Sequence, residues 1–362
     1  MDGKAALRKM GSIFLFLLPL HIQAAAIVTA KAIQENTYSM GMSQEAQAFI
    51  AGSLAQRQYS DAIDRLDKEL LRDPKNISLL YKKAAIYADI EKYYQSIDVL
   101  DQIHRIAPKD EQSNKLREIV ESKLKELPRN EIGYDQDEAY VSDLHSTWTS
   151  ANVHYFRYTK AGNFGGRVNY AHRFGTNAEQ YQVEAYPILF RDVSYLSLIG
   201  AYANSTQTLF PQIQYSIEDY INFKHGIEGS FGERMIHFQN VKIFTYTGSL
   251  GKYLGNYFIW FRPYIFVPYS QQSYELGIRR YFSTRFSYIS LKVGAGSYPD
   301  IGQIQPVSQV VIFHVKAISA DAQLPISKRF YIRMGLGLAR QTFLTNRLRI
   351  IRNANFGVMM QF

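Results

Sequence analysis

From Ala354 to the end of the chain, apolar residues occupy every second position. Ala354, Phe356, Val358, Met360 and Phe362 alternate with Asn355, Gly357, Met359 and Gln361, Met359 being the exception. A period of two puts one set on each face of a β-strand. Phe330, Ile332, Met334, Leu336 and Leu338 likewise oppose Tyr331, Arg333, Gly335 and Gly337. Ile289, Leu291, Val293 and Ala295 oppose Tyr288, Ser290, Lys292 and Gly294, and Tyr274, Leu276 and Ile278 oppose Glu275, Gly277 and Arg279. Read this way, the chain predicts strands centred on 139–144, 152–158, 166–174, 180–189, 195–203, 211–217 and 226–231. The series continues at 241–249, 257–267, 274–282, 288–295, 310–320, 330–340 and 348–362. Roughly nine such residues, tilted, cross the apolar band of a bilayer.

Residues 43–127 follow a helical rhythm instead. Pro74 and Pro108 are 34 residues apart, the tetratricopeptide period. Tyr59 with Tyr93, Ala62 with Ser96, Ile63 with Ile97 and Leu66 with Leu100 keep the same offset. Small residues at Ala62 and Ser96 let two helices approach, and each proline stops the second helix of its pair. With Leu80, Ala84 and Tyr87 at the packing places of the second unit, the segment resembles two tetratricopeptide repeats and a closing helix over 111–127. A plain helical spacer without a partner is the alternative. Lys4, Arg8 and Lys9, then the apolar run 13–18 and Ala24-Ala25-Ala26, read as a signal peptide over 1–26. Residues 27–42 and 128–131 read as linkers, and 132–362 as the strand domain. The expected fold class is mainly β: a transmembrane antiparallel β-barrel of about 14 strands, with about 12 if two weak middle segments are loop. A small α-helical segment precedes it.

Composition sharpens this picture. Beyond the N-terminal region no apolar run reaches the roughly 18 residues of a membrane helix, which excludes helical spans but not barrel strands. The 27 Tyr and 22 Phe suit the aromatic girdles of a barrel. The chain has no Cys, hence no disulfide, thiolate metal site or lipid-modified cysteine. A net charge of +9 suits an anionic surface or substrate, and no nucleic-acid motif accompanies it. Because a cation on the lipid face costs roughly 2–4 kcal/mol near the midplane, the strand charges are expected to face inward. The lumen candidates are Arg167, Arg173, Glu184, Arg262 and Glu275, with Arg279, Lys292, Arg333 and Arg349. Arg280, His172 and Arg352 break the alternation and are expected near an interface. Two readings of the lumen stay open: a pore lining that guides anions or glycans, and an ion-pair network in which Glu184 and Glu275 neutralise arginines. Tyr186, Tyr281 and Tyr331 beside them could stack on sugar rings or simply fill space. His145, His154, His172, His225, His237 and His314 stand without a supporting motif; His314 is expected to face the lumen with Lys316, near Ser290 and Ser319. Neither Gly-x-Ser-x-Gly nor His-Glu-x-x-His occurs, so no catalytic, metal or cofactor-binding residue is assigned.

Several patches carry a family resemblance. They are Gly166-Arg167-Val168-Asn169-Tyr170-Ala171-His172-Arg173-Phe174-Gly175, Gln180-Tyr181, Glu184-Ala185-Tyr186-Pro187, Leu209-Phe210-Pro211 and Gly255-Asn256-Tyr257. Arg279-Arg280-Tyr281-Phe282 and Gly294-Ala295-Gly296-Ser297-Tyr298-Pro299-Asp300 follow in order. Together they resemble the YaiO-type outer-membrane β-barrel, which implies an outer-membrane location and no defined activity. The terminal Phe362, with Phe356, Val358 and Met360 on its face, resembles the assembly signal of bacterial outer-membrane barrels. Helical repeats ahead of a barrel are similar in architecture to exopolysaccharide export porins. The expected function is an accessory or conduit in envelope polysaccharide or solute export; a closed structural barrel that anchors the repeats is the alternative. Expected partners are outer-membrane lipid, the barrel-assembly machinery, periplasmic proteins on the repeats and a glycan.

Overall fold

The computed structural model describes residues 59–190, 193–204, 209–238, 241–267, 271–282, 286–298, 313–343 and 348–362. The expected signal peptide, the 27–42 linker and the first part of the helical segment, 43–58, lie outside the described residues.

Among the described residues four helices come first: α1 (Tyr59–Arg72), α2 (Ile77–Asp89), α3 (Tyr93–Ile106) and α4 (Glu111–Glu126). By contact the described chain divides into two compact units, Lys68–Glu121 and 59–67 with 122–362. In the first unit Asn76 caps α2 by accepting the Leu79 N–H at 3.1 Å, and Asp110 caps α4 through the Ser113 N–H at 2.9 Å. Ser96 is fully buried, and its hydroxyl donates to the Ala84 carbonyl at 2.8 Å. A small polar residue thus brings α3 against α2. Ala62, Leu66, Leu80, Ala84, Tyr87 and Leu100 are buried, while Pro74 and Pro108 lie exposed in the turns between helices.

The remainder is one sheet closed on itself. Its strands are β1 (Asn130–Val141), β2 (Ser146–Thr159), β3 (Gly162–Arg173), β4 (Thr176–Phe190), β5 (Ser194–Ala203), β6 (Ile213–Asn222) and β7 (Ile227–Phe238). They continue as β8 (Val241–Leu254), β9 (Tyr257–Val267), β10 (Gln271–Tyr281), β11 (Tyr288–Tyr298), β12 (Phe313–Pro325), β13 (Phe330–Phe343) and β14 (Leu348–Gln361). Each strand pairs antiparallel with its sequence neighbours, and β1 pairs with β14 to close a 14-stranded barrel without edges. The seam runs in register from Glu131 opposite Gln361 to Val141 opposite Ile351. Backbone bonds continue it past the strand ends: the Arg129 and Asn130 N–H groups donate to the Phe362 carbonyl at 3.0 and 2.8 Å.

Alternation explains the wall. Leu336, Leu338, Ile318, Leu291, Ile278, Phe356, Val358 and Phe362 are exposed on the outward face, as lipid contact requires. The sequence placed thirteen of the strands closely but put β1 too late, at 139–144. β1 begins at Asn130, within the stretch expected to be a linker. Its outward positions include Gln136 and Glu138, so the apolar alternation fades where the strand runs.

Candidate functional site

The chemistry gathers on the concave inner face. Arg262 on β9 reaches past β8 and β7 to Glu218 on β6, Nη1 to Oε1 being 2.7 Å, and Nη2 donates to the Tyr220 hydroxyl at 3.1 Å. A side chain can span non-neighbouring strands only across the inside of the curve. Glu218 also accepts from Ser230 at 2.6 Å and faces Arg234 at 3.5 Å. Its side chain is only 3 % exposed and that of Arg262 11 %, so this is a desolvated pair.

A second cluster straddles the seam. His154 on β2, 1 % exposed at its side chain, lies 3.5 Å from Glu131 and 3.6 Å from Asp135 on β1. Arg333 on β13 reaches over β14 and β1, 3.2 Å from His154 Nε2 and 3.3 Å from Asp135. Glu131 further accepts from Gln361 Nε2 at 3.1 Å and from the Tyr158 hydroxyl. Gly133 makes the room: a Cβ there would meet His154 Cε1 at 2.4 Å. Gly277 does the same for Trp260, with the indole at 2.1 Å from a Cβ position.

The remaining lumen candidates are held in pairs. Arg167 Nε donates to Glu184 at 2.9 Å, and Tyr186 donates to the other oxygen at 2.6 Å. Lys292 meets Asp321 at 3.0 Å. Arg349 forks onto Asp143 at 2.7 and 3.0 Å, the bidentate geometry that makes such pairs strong. Arg173 lies over the Trp148 ring at 5.2 Å. Arg279 donates to Ser290 at 2.9 Å and sits 4.2 Å from the Tyr288 ring centre, with Trp260 and Tyr281 beside it.

Two expectations change. Glu275 stands directly opposite Arg262 in the β9–β10 ladder, yet it accepts from Trp260 Nε1 at 2.9 Å while Arg262 turns to Glu218. Indole packing over bare Gly277 places the donor first. His314 and Lys316 face outward, on the exposed side of β12 with Ile318. Ser290 and Ser319 share the opposite face with Lys292, out of reach of His314, whose Nδ1 instead lies 3.3 Å from the Ser297 hydroxyl on the outward face. Tyr331 shares the inward face with Arg333 and is buried there against Phe286, with ring centres 5.8 Å apart, so of its two readings it takes the space-filling one. Glu218 and His154 were missed. Glu218 lies one residue beyond the expected end of its strand; of the β1 partners of His154, Glu131 lies in the stretch read as linker and Asp135 ahead of the expected first strand. Within the second unit, Asp61 and Asp64 on α1 approach His225, in the turn after β6, at 3.6 and 3.8 Å, and the His225 N–H donates to Asp64 at 3.0 Å. Sequence spacing could not join those three.

A closed antiparallel barrel with an apolar outer belt and a polar, ion-paired interior is a transmembrane β-barrel. Consistent with this, the family model of the YaiO membrane beta barrel domain matches residues 129–301. No curated protein matches the sequence. Among solved structures, the anion-selective porin from Comamonas acidovorans is 8 % identical, with a TM-score of 0.35, covering 64 % of this chain and 98 % of its own. OpdQ of Pseudomonas aeruginosa is 7 % identical, with a TM-score of 0.38, covering 65 % and 98 %. A bacterial polysaccharide outer membrane secretin is 10 % identical, with a TM-score of 0.39, covering 65 % and 99 %. Likenesses this slight carry no functional inference for this chain.

Proposed function

We propose that this chain is an outer-membrane barrel whose termini and helices lie in the periplasm, acting as an accessory or conduit in the export of envelope polysaccharide or small solutes. The observation that carries this reading is the inner wall itself, where guanidinium groups lie against aromatic rings. Arg279 on Tyr288 and Arg262 on Tyr220 offer hydrogen-bond donors and ring faces together, the pair of surfaces a sugar chain uses. The long connections 204–212 and 299–312 leave from the end opposite the termini, and in bacterial barrels the longer loops are extracellular. The helices, resembling tetratricopeptide repeats, would recruit periplasmic proteins, and Phe362 would address the barrel-assembly machinery. We assign no enzymatic activity and no cofactor.

The pairs Arg262–Glu218 and Arg167–Glu184 favour a second reading, a closed structural barrel that anchors the helices. The two readings part in a planar bilayer holding the purified full-length protein. A gated conduit shows little current at rest and gains openings when Glu218→Gln releases its two arginines. If wild type and Glu218→Gln, both shown to be folded, pass no current at any voltage, the conduit is rejected and the structural barrel remains.

A further inference from the structure

The outward wall carries one grouping that contact with acyl chains does not explain. In the β12–β13 ladder Lys316 stands directly opposite Arg340. In the β13–β14 ladder Arg352 is opposite Leu338 and Ile350 opposite Arg340, so Arg352 lies one diagonal step from Arg340. All three are exposed, as is His314, two residues from Lys316 on the same face. Like charges directly opposite each other destabilise a sheet pair. Among the described residues no carboxylate forms an ion pair with Lys316, Arg340 or Arg352. Glu138, the outward carboxylate nearest Arg352 by register, already accepts from Gln136 at 2.8 Å and Thr149 at 2.9 Å. Arg280, the outward arginine near the opposite end, is differently placed: its guanidinium rests on Phe282 and Tyr257, at 5.4 and 5.8 Å.

The position of the cluster points to its ligand. The cations lie near the barrel end opposite the termini, Arg340 being three positions inside the end of β13 at Phe343. Immediately toward the termini the same face turns aliphatic, with Ile318, Leu336 and Leu338 exposed, Leu336 at 69 %. Cations bordering an acyl-facing belt sit at headgroup depth, where a charged side chain costs little.

We propose that Lys316, Arg340 and Arg352, with His314 at their edge, bind a phosphate of a lipid A-type glycolipid in the outer leaflet, its acyl chains lying along Leu336, Leu338 and Ile318. Arginine forks suit phosphate oxygens, and a shared phosphate removes the repulsion between Lys316 and Arg340. The leaflet rests on the periplasmic placement of the termini proposed above.

The test uses full-length protein delipidated in detergent, with native mass spectrometry reading the retention of added bisphosphorylated lipid A. Wild type is expected to retain it. Retention should fall about fivefold for each cation removed, equivalent to about 1 kcal/mol per cation at an anionic headgroup layer. Lys316→Gln, Arg340→Gln and Arg352→Gln are measured singly and together, each checked for folded, heat-modifiable mobility. Arg340→Lys with Arg352→Lys should keep most of the retention and covers the case in which the triple variant does not fold. Arg157→Gln with Lys252→Gln, near the other end, should change nothing. Equal retention by the folded cation variants, or equal retention of lipid A stripped of phosphate, overturns the site. Phosphatidylglycerol held as tightly as lipid A overturns the glycolipid assignment. The chain has no Cys, so a single Lys328→Cys in the turn before β13 reports topology. Labelling it from outside intact cells would overturn the periplasmic placement and with it the leaflet. No labelling together with no lipid A retention would overturn the site alone.

Discussion

Two guanidinium groups converge on the Glu218 carboxylate, and burial decides what that convergence is worth. Removing one partner of a desolvated pair leaves an uncompensated charge, so Glu218→Gln is expected to cost about 3–5 kcal/mol. Arg333 is different, because its side chain is 27 % exposed; Arg333→Gln should cost about 0–1 kcal/mol, as for a solvated pair. Urea unfolding in detergent ranks the two, and the opposite order would contradict the burial argument. Gly133 supplies a steric counterpart. Gly133→Ala drives a methyl into His154, an overpacking expected to cost about 1–3 kcal/mol. Adding His154→Ala should return part of that loss, and a double-mutant cycle measures the coupling. Strict additivity would mean that the glycine is not there for the imidazole.

At the scale of elements, the seam between β1 and β14 closes the barrel, and its polar links are dense. Glu131 joins Gln361, Asp143 joins Arg349, and the Phe362 N–H donates to the Asn130 carbonyl at 2.9 Å. A chain begun at residue 128 behind an export signal should therefore fold into a heat-modifiable barrel. One begun at 132 loses Asn130 and Glu131 and should fold in lower yield; equal yields would show that the first two residues of β1 contribute nothing to closure. Deleting Phe362 removes its backbone bonds to Arg129 and Asn130 along with the terminal aromatic. Folded protein in the outer membrane should fall in that variant, and unchanged yield and mobility would set aside an assembly role.

For the whole molecule the question is whether the wall opens. Most of the inner cations are tied to carboxylates or rings, so transport through this barrel would be gated or dependent on a partner. Once open, a lining rich in arginine selects for anions. Arg262→Gln with Arg279→Gln should then move the reversal potential under a salt gradient toward that of an unselective pore. An open channel whose reversal potential does not respond would place those arginines away from the path.

Period-two alternation determined the strands and the inward side of the lumen candidates, because lipid and lumen impose opposite demands on neighbouring residues. It failed locally at β1, where Gln136 and Glu138 interrupt the outward apolar set, and in placing His314 and Lys316 inward. The helical rhythm of residues 43–127 announced helices, and in the described part the Ser96 hydroxyl on α3 meets the Ala84 carbonyl on α2. Which charges meet was decided only by closure. Curvature brings Arg262 to Glu218 across two intervening strands and Arg333 to His154 across the seam, distances that no spacing along the chain encodes. Register alone would have paired Arg262 with Glu275; the Trp260 ring lying on Gly277 took that carboxylate instead.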